Sequence, residues 1–385
     1  MSAFAVTITD NQASPVSWNL KHEVVGWSHT TAIPGGGLSA SFKVYAPTFI
    51  PPLYLRQFYN VTAADERGIF WAGRIESLNS SQDREGEYWA VGCVGWGVHL
   101  DDQIDVSEDV SSTATNTVVA NAVTNFTQKI DVQTISTTSW TLGAGITALK
   151  MMTPAQIIAQ MMAFGDTSNN AQQWHVYPQD DGDIEFTFED RPAATGYTAR
   201  ASQFEHKQFG SIGSRLANRV IVQYANATKT VTVNDTTLQG AGPAGWGFIK
   251  AIKLIYNEIP DSAAGDADAL QIATVALALA GVERMAAKSL VARNNVDFRN
   301  SDGHDVPLHR IRSGKILELE DLMGRSTGGS NALTFDRSCL IVGTTYDEDT
   351  QTLSITPESY ALTIEQQIAR IYQVLDGRHT TGGSL

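Results

Sequence analysis

Residues 302–321, DGHDVPLHRIRSGKILELED, crowd His304, His309, Arg310, Arg312 and the carboxylates Asp302, Asp305, Glu318, Glu320 and Asp321 into one short stretch. Such side chains could ligate a metal, move a proton or grip an anion. The spacing argues against a metal. A zinc hydrolase sets histidines at i and i+4 on one helix face with a glutamate beside them. His304 and His309 are five apart, Pro307 between them opposes a helix, and strand positions five apart face opposite sides. Val306, Leu308, Ile311, Ile316, Leu317 and Leu319 fit two strands around an R-S-G-K turn. On that reading Asp305, His309, Arg310 and Arg312 belong to a solvated or ion-pairing face, and the expectation is a contact between subunits.

Other chemistry-bearing patterns are weaker. GAGPAG, residues 240–245, fits G-x-G-x-x-G in form. A dinucleotide site needs a helix directly after the loop, and here WGFIKAIKLIY follows, so a loop is expected. DDGD, residues 180–183, is half a calcium loop without the remaining ligands. No G-x-S-x-G elbow occurs, and neither Cys93 nor Cys339 sits beside a histidine. Each cysteine lies in an apolar run and reads as a small buried hydrophobe. Trp89 and Trp96 could stack on sugar, but barrel-core packing is the simpler expectation. The 41 acids offer many carboxylate pairs for glycoside hydrolysis and single out none. No catalytic residue, cofactor or metal ligand is therefore assigned.

The elements that must position these residues are mostly strands. Residues 1–104 hold short alternating runs (AFAVTITD, LSASFKV, LYLRQFYNVTAADERGIFWAGRIESL, EYWAVGCVGW) separated by turn signals, as in a small barrel or sandwich. Residues 105–202 read as an α+β insertion. Val118, Ala122 and Phe126 are at helical spacing. TPAQIIAQMMAFGD has Thr153 to cap, Pro154 at the first helical position and Gly165 as a stop. QQWHVYPQDDGDIEFTFED reads as a hairpin. Residues 203–360 return to strands around a long Ala-rich helix over 266–290, and close with a hairpin at YDEDTQT. Residues 361–385 hold a final helix, 363–376, and a loose tail.

With 385 residues, 42% hydrophobic and 18% charged, the chain is globular and large enough for two or three domains. No run of about eighteen apolar residues and no signal peptide is read from it. A net charge of −14 disfavours free nucleic-acid binding. It suits a wall that DNA must pass without sticking.

The order of these segments resembles the phage tail-tip, or baseplate, hub proteins. The resemblance rests on VVGWSHTTAIPGGGLSASFKV and GIFWAGRIESLN in the first strand region, the TPAQIIAQMM helix and LANRVIVQY. It continues through the Ala-rich helix, VPLHRIRSGKILELEDL and CLIVGTTYDEDTQTLSITPE, covering most of residues 1–360. It implies a β-rich α+β fold with two tail-tube-like β-barrel domains and a small α+β insertion. It also implies a homotrimer at the virion tail tip that adapts sixfold tube symmetry to threefold. The implied partners are a distal tail protein, a tape measure protein and a tail fibre or receptor-binding tip protein, with DNA only in transit through the lumen and no membrane insertion. The sequence stops shortly after the last hairpin, so fibre attachment or wall digestion is expected of another protein. Alternatives are a hexameric distal-tail ring or adaptor and a cell-wall glycosidase.

Overall fold

The computed structural model describes residues 4–21, 23–45, 52–83, 86–104, 112–143, 152–192, 194–210, 216–241, 245–280, 286–321 and 337–358. Period-two alternation builds most of it. Val6 and Ile8 are buried in Ala5–Thr9, and Ala40, Phe42 and Val44 in Gly35–Tyr45, while residues between them face outward. Ser17–Asn19 pairs with Ala5–Thr9. The order then runs through Asn60–Asp65, Gly68–Asp83, Gly86–Gly95 and Gly35–Tyr45 to Val24–Ala32, all antiparallel.

The ladder does not stop there. Val24–Ala32 pairs with Ser338–Asp347, which is followed by Thr352–Pro357, Ala286–Arg293 and His206–Gly210. Residues 338–340 also pair with Ile316–Glu320, which runs parallel to Thr195–Arg200; Phe298–Asn300 and Asp305–Val306 complete that sheet. One apolar cluster accordingly spans both strand regions. It packs Phe4, Trp27, Phe42 and Trp71 with Phe204, Phe298, Leu317, Ile341 and Ile355. The two regions share apolar area and main-chain bonds.

A second cluster lies in the middle of the chain. It joins the helices Thr115–Phe126 and Pro154–Met162 to the hairpin Gln172–Pro178/Ile184–Asp190. Thr153 caps Pro154–Met162 in a reciprocal capping box with Gln156. The same cluster takes in a three-stranded sheet, Lys229–Asn234, Arg219–Tyr224 and Ala251–Tyr256, and the helix Ala263–Ala280. These three strands and this helix thus pack with the middle of the chain, although the sequence groups them with the strands after residue 203.

The Ala-rich helix is shorter than the sequence suggests. It spans Ala263–Ala280, and the strand Ala286–Arg293 occupies the last part of the expected 266–290. Small residues support either state, and tertiary pairing decides: Leu290 and Ala292 are fully buried in the ladder opposite Ile355 and Leu353. The helix is also long and apolar enough to cross a membrane by length and composition, with a mean hydropathy of 1.3. It packs as a core helix instead. Ala269, Ile272 and Ala273 are fully buried, and the buried Asp268 carboxylate accepts from Trp140 Nε1 at 2.8 Å and from the Gly143 amide at 3.1 Å. Gln271 Nε2 donates to the Phe164 and Asp166 carbonyls. The expected terminal helix, 363–376, lies outside the described residues.

Candidate functional site

Residues 308–315 lie where the first strand region, the hairpin and the second strand region meet. The first of the two strands expected around the R-S-G-K turn does not continue past Asp305–Val306. Pro307 leads into a single 3-10 turn, Leu308–Arg310, because proline lacks the N–H that a ladder needs. From that turn to Ile316–Glu320 the chain projects His309, Arg310 and Arg312 inward. His309 Nε2 lies 2.9 Å from Asp65 Oδ2. Arg310 grips the same carboxylate with two nitrogens, Nε at 2.8 Å from Oδ2 and Nη2 on Oδ1. Its Nη2 also donates to the Gly68 carbonyl at 2.7 Å, and its Nη1 reaches Asp180 Oδ1 at 3.0 Å. Asp65 ends a strand of the first region and Asp180 sits in the hairpin turn. One guanidinium therefore ties three segments together, and the Asp65 side chain is only 6% exposed.

Arg312 behaves differently. Its Nη2 donates to the Phe70 and Pro178 carbonyls at 3.3 and 3.2 Å, and its guanidinium lies 4.9 Å from the centre of the Tyr177 ring. Beside it a hydroxyl chain crosses the junction. Tyr177 Oη and Ser313 Oγ are 2.8 Å apart, the Ser313 amide donates to Thr31 Oγ1 at 3.0 Å, and Thr31 and Thr344 share a bond of 2.7 Å. Gln173 Nε2 donates to the Gly314 carbonyl at 3.1 Å. All seven residues of Gln172–Pro178 are buried. Trp174 and Val176 face the middle core, while Gln173 and Tyr177 bond into this junction.

Electrostatics follow from the packing. Burial alone would raise the Asp65 carboxyl, but the bonds from Arg310 and His309 outweigh it and hold it well below the usual carboxylate range. Burial lowers His309, against the pull of Asp65. Burial, with the charges of His309 and Arg312 nearby, pushes His29 down to about 3. Burial, with Lys315 and Arg312, does the same for His175. An unfolded histidine takes up its proton below a pH of about 6.5, whereas folded His29 and His175 resist until about 3. The unfolded chain therefore binds more protons between those values, and stability falls as the pH drops through that window. Urea midpoints measured from neutral pH downward should decrease steadily over this range; a flat profile would show that the two imidazoles are not held neutral.

The junction is suited to holding segments in register. His309 and Asp65 form an acid–imidazole pair, but no hydroxyl or thiol is hydrogen-bonded to His309 among the described residues. No group of three or more His, Cys, Asp or Glu side chains stands close enough to share a metal ion among them either. Of the four expected site residues, His309, Arg310 and Arg312 gather here. Asp305 does not: its side chain is 82% exposed, 3.7 Å from Arg299 Nε, and only its carbonyl joins in, accepting from Arg67. His304 is exposed and distant in role. Within one chain Arg310 is already satisfied by Asp65 and Asp180, so a contact between subunits is not needed to explain it.

The remaining motifs resolve simply. After Gly245 the chain enters the strand Ala251–Tyr256 and no helix. DDGD is the hairpin turn, closed by the Gln179 amide on the Asp183 carbonyl at 2.8 Å. Trp89, Trp96, Cys93 and Cys339 are buried, and burial pushes the Cys93 thiol up. Sequence reasoning missed Asp65, Asp180, His29, Thr31, Gln173 and Tyr177. The usable signal was the run of polar side chains alternating with Trp174 and Val176, a pattern that reads as a wet face until a second layer covers it.

No protein-family model matches the sequence, and no curated protein is similar to it. Solved structures are similar. A tail protein from Neisseria meningitidis MC58 has a TM-score of 0.57 at 12% identity, over 92% of this chain and 96% of that one. The 43 kDa tail protein of prophage MuSo2 from Shewanella oneidensis gives 0.56 at 11%, over 93% and 99%. Prophage tail protein gp18 from Listeria monocytogenes EGD-e gives 0.54 at 10%, over 97% and 99%. Identity this low speaks for the fold alone, and the coverage is nearly end to end on both sides. The resemblance to phage tail proteins carried by the sequence is thus met by the structure: this chain has their β-rich α+β fold.

Proposed function

We propose that the chain is a structural subunit of a phage tail or a related particle, acting at the tail tip as a trimeric hub. The observation that carries this is the near-complete two-way coverage with three tail proteins. The alignments span at least 92% of this chain and at least 96% of each tail protein. On this reading the strands of residues 1–104 and those of the second ladder, His206–Gly210, Ala286–Arg293, Ile316–Glu320, Ser338–Asp347 and Thr352–Pro357, are two barrel-like units. Three chains would then present a ring of near-sixfold symmetry to the tail tube and threefold symmetry to the tip. A distal tail protein would lie above, a tape measure protein and then DNA would pass through the lumen, and a fibre or receptor-binding protein would lie below. The net charge of −14 supports a channel that does not hold phosphates.

Two experiments test the parts separately. Tails purified from particles made with and without this chain should differ. The chain should appear in the tail fraction, and its removal should leave tubes without tips; intact, tipped tails lacking it would end the tail reading. Light scattering on the purified chain should give three times its 41.6 kDa mass. A hexamer would favour the distal-tail ring instead. No lysis of purified peptidoglycan is expected.

A further inference from the structure

We propose that the three-stranded sheet Lys229–Asn234/Arg219–Tyr224/Ala251–Tyr256 is completed by a second copy of this chain, head to tail, with the Ala251–Tyr256 edge of one copy against the Lys229–Asn234 edge of the next. This rests on the homo-oligomeric part of the reading above and adds the surface that makes it.

Three observations carry it. First, both outer strands pair only with Arg219–Tyr224 among the described residues, so each presents an open main-chain edge. Second, the apolar inner face extends past what the chain's own helix covers. In the central strand Val220, Val222 and Tyr224 are 0–2% exposed. On the flanking strands, Val231 and Val233 on one side, and Ile252 and Tyr256 on either side of the fully buried Leu254 on the other, are only partly buried. Outside that row, Ile255 on the opposite face of the same strand, and Phe248 and Ile249 just before it, are more than half exposed. Bringing the two edges together would cover both half-covered rows at once. Third, the two edges differ in charge. Beside Lys229–Asn234 stand Asp235, Asp261 and Asp266 with Lys229, which pairs with the last two. On the other edge stand Lys250 and Lys253, with Glu258 beyond its end. An acidic edge and a basic edge on one sheet favour head-to-tail joining over like-to-like joining, and head-to-tail contacts form a ring where the rotation between copies closes.

Because the outer strands run antiparallel to each other about the central one, a rotation that keeps the central strands parallel joins the two edges in antiparallel fashion. Thr232 and Lys253, both opposite Ile221 in their own sheet, then face the joint from its two sides.

The test is a concentration series of light scattering on the full chain, with melting curves to confirm folding. Ile255→Lys and Thr232→Lys replace exposed side chains and should leave the melting temperature nearly unchanged. Each should weaken self-association at least tenfold. The double variant Thr232→Lys/Lys253→Glu should recover it, because the new charge on each copy meets the reversed charge on the next. Single variants that associate like the wild type overturn the proposal, as does a wild type that stays monomeric throughout. Weakened singles without recovery in the double variant overturn the head-to-tail joint. The tail reading is judged separately by the particle experiment, so either can fail alone.

Discussion

Arg310→Ala is expected to destabilise the isolated chain by about 3–5 kcal/mol, the usual effect of stranding a buried charge by removing its partner. The stranded group is Asp65, 6% exposed, which would keep only His309 and the Arg67 amide for its two oxygens. Arg310 itself is 12% exposed, so solvent would not replace it cheaply. The loss should appear as a lower urea midpoint at unchanged slope, the signature of reduced stability without a change in compactness. Replacing both partners by apolar residues of similar size, Arg310→Met with Asp65→Leu, should recover much of it, since a buried ion pair is weak evidence of net stability. The double reversal Arg310→Glu/Arg312→Glu should fail at folding, before assembly. If it folds normally and only fails to assemble, the two arginines act between subunits after all, and the intramolecular account is wrong.

Gly36→Ala is expected to cost about 3–5 kcal/mol, adding the strain of a positive φ to overpacking against main chain. Gly36 has φ +87°, and a Cβ there would meet the Val176 carbonyl oxygen at 2.2 Å and the Val176 amide nitrogen at 2.5 Å. Gly36 and Val176 are partners in the short parallel pairing between Gly35–Tyr45 and Gln172–Pro178. This is where the hairpin docks on the first strand region. The variant should therefore loosen the hairpin as well as lower the melting temperature, and limited proteolysis should cut within residues 172–190 before the rest unfolds. Gly303→Ala is the matched control. Its φ is +81° with nothing within 4 Å of the added carbon, so it should show strain alone, about 1 kcal/mol. Equal effects at the two positions would mean that contact with Val176 is not what requires glycine.

Much of the local structure was legible in the sequence because it depends on neighbours along the chain. Thr153 and Pro154 start a helix by capping and by a fixed φ. The hairpin pairs Phe186 with Val176 and Phe188 with Trp174, as alternation across a D-G turn requires. The closing hairpin Ser338–Asp347/Thr352–Pro357 forms as the turn residues indicate. Burial of Trp89, Trp96 and both cysteines follows from their apolar surroundings. The β-rich α+β class is a sum of such local signals.

Tertiary structure decided the rest. Whether AAKSLVAR continues a helix or starts a strand was settled by the strand Thr352–Pro357, whose side chains bury Leu290. Val24–Ala32 joins Ser338–Asp347 across more than three hundred residues, and no periodicity in either segment announces that partner. Arg310 and Arg312 read as a surface pair because charge is normally solvated. They are enclosed because Asp65, Asp180 and the Phe70 and Pro178 carbonyls arrive from two distant segments. A sequence specifies which side chains alternate and where turns fall; only the packed fold determines which polar faces meet each other and exclude water.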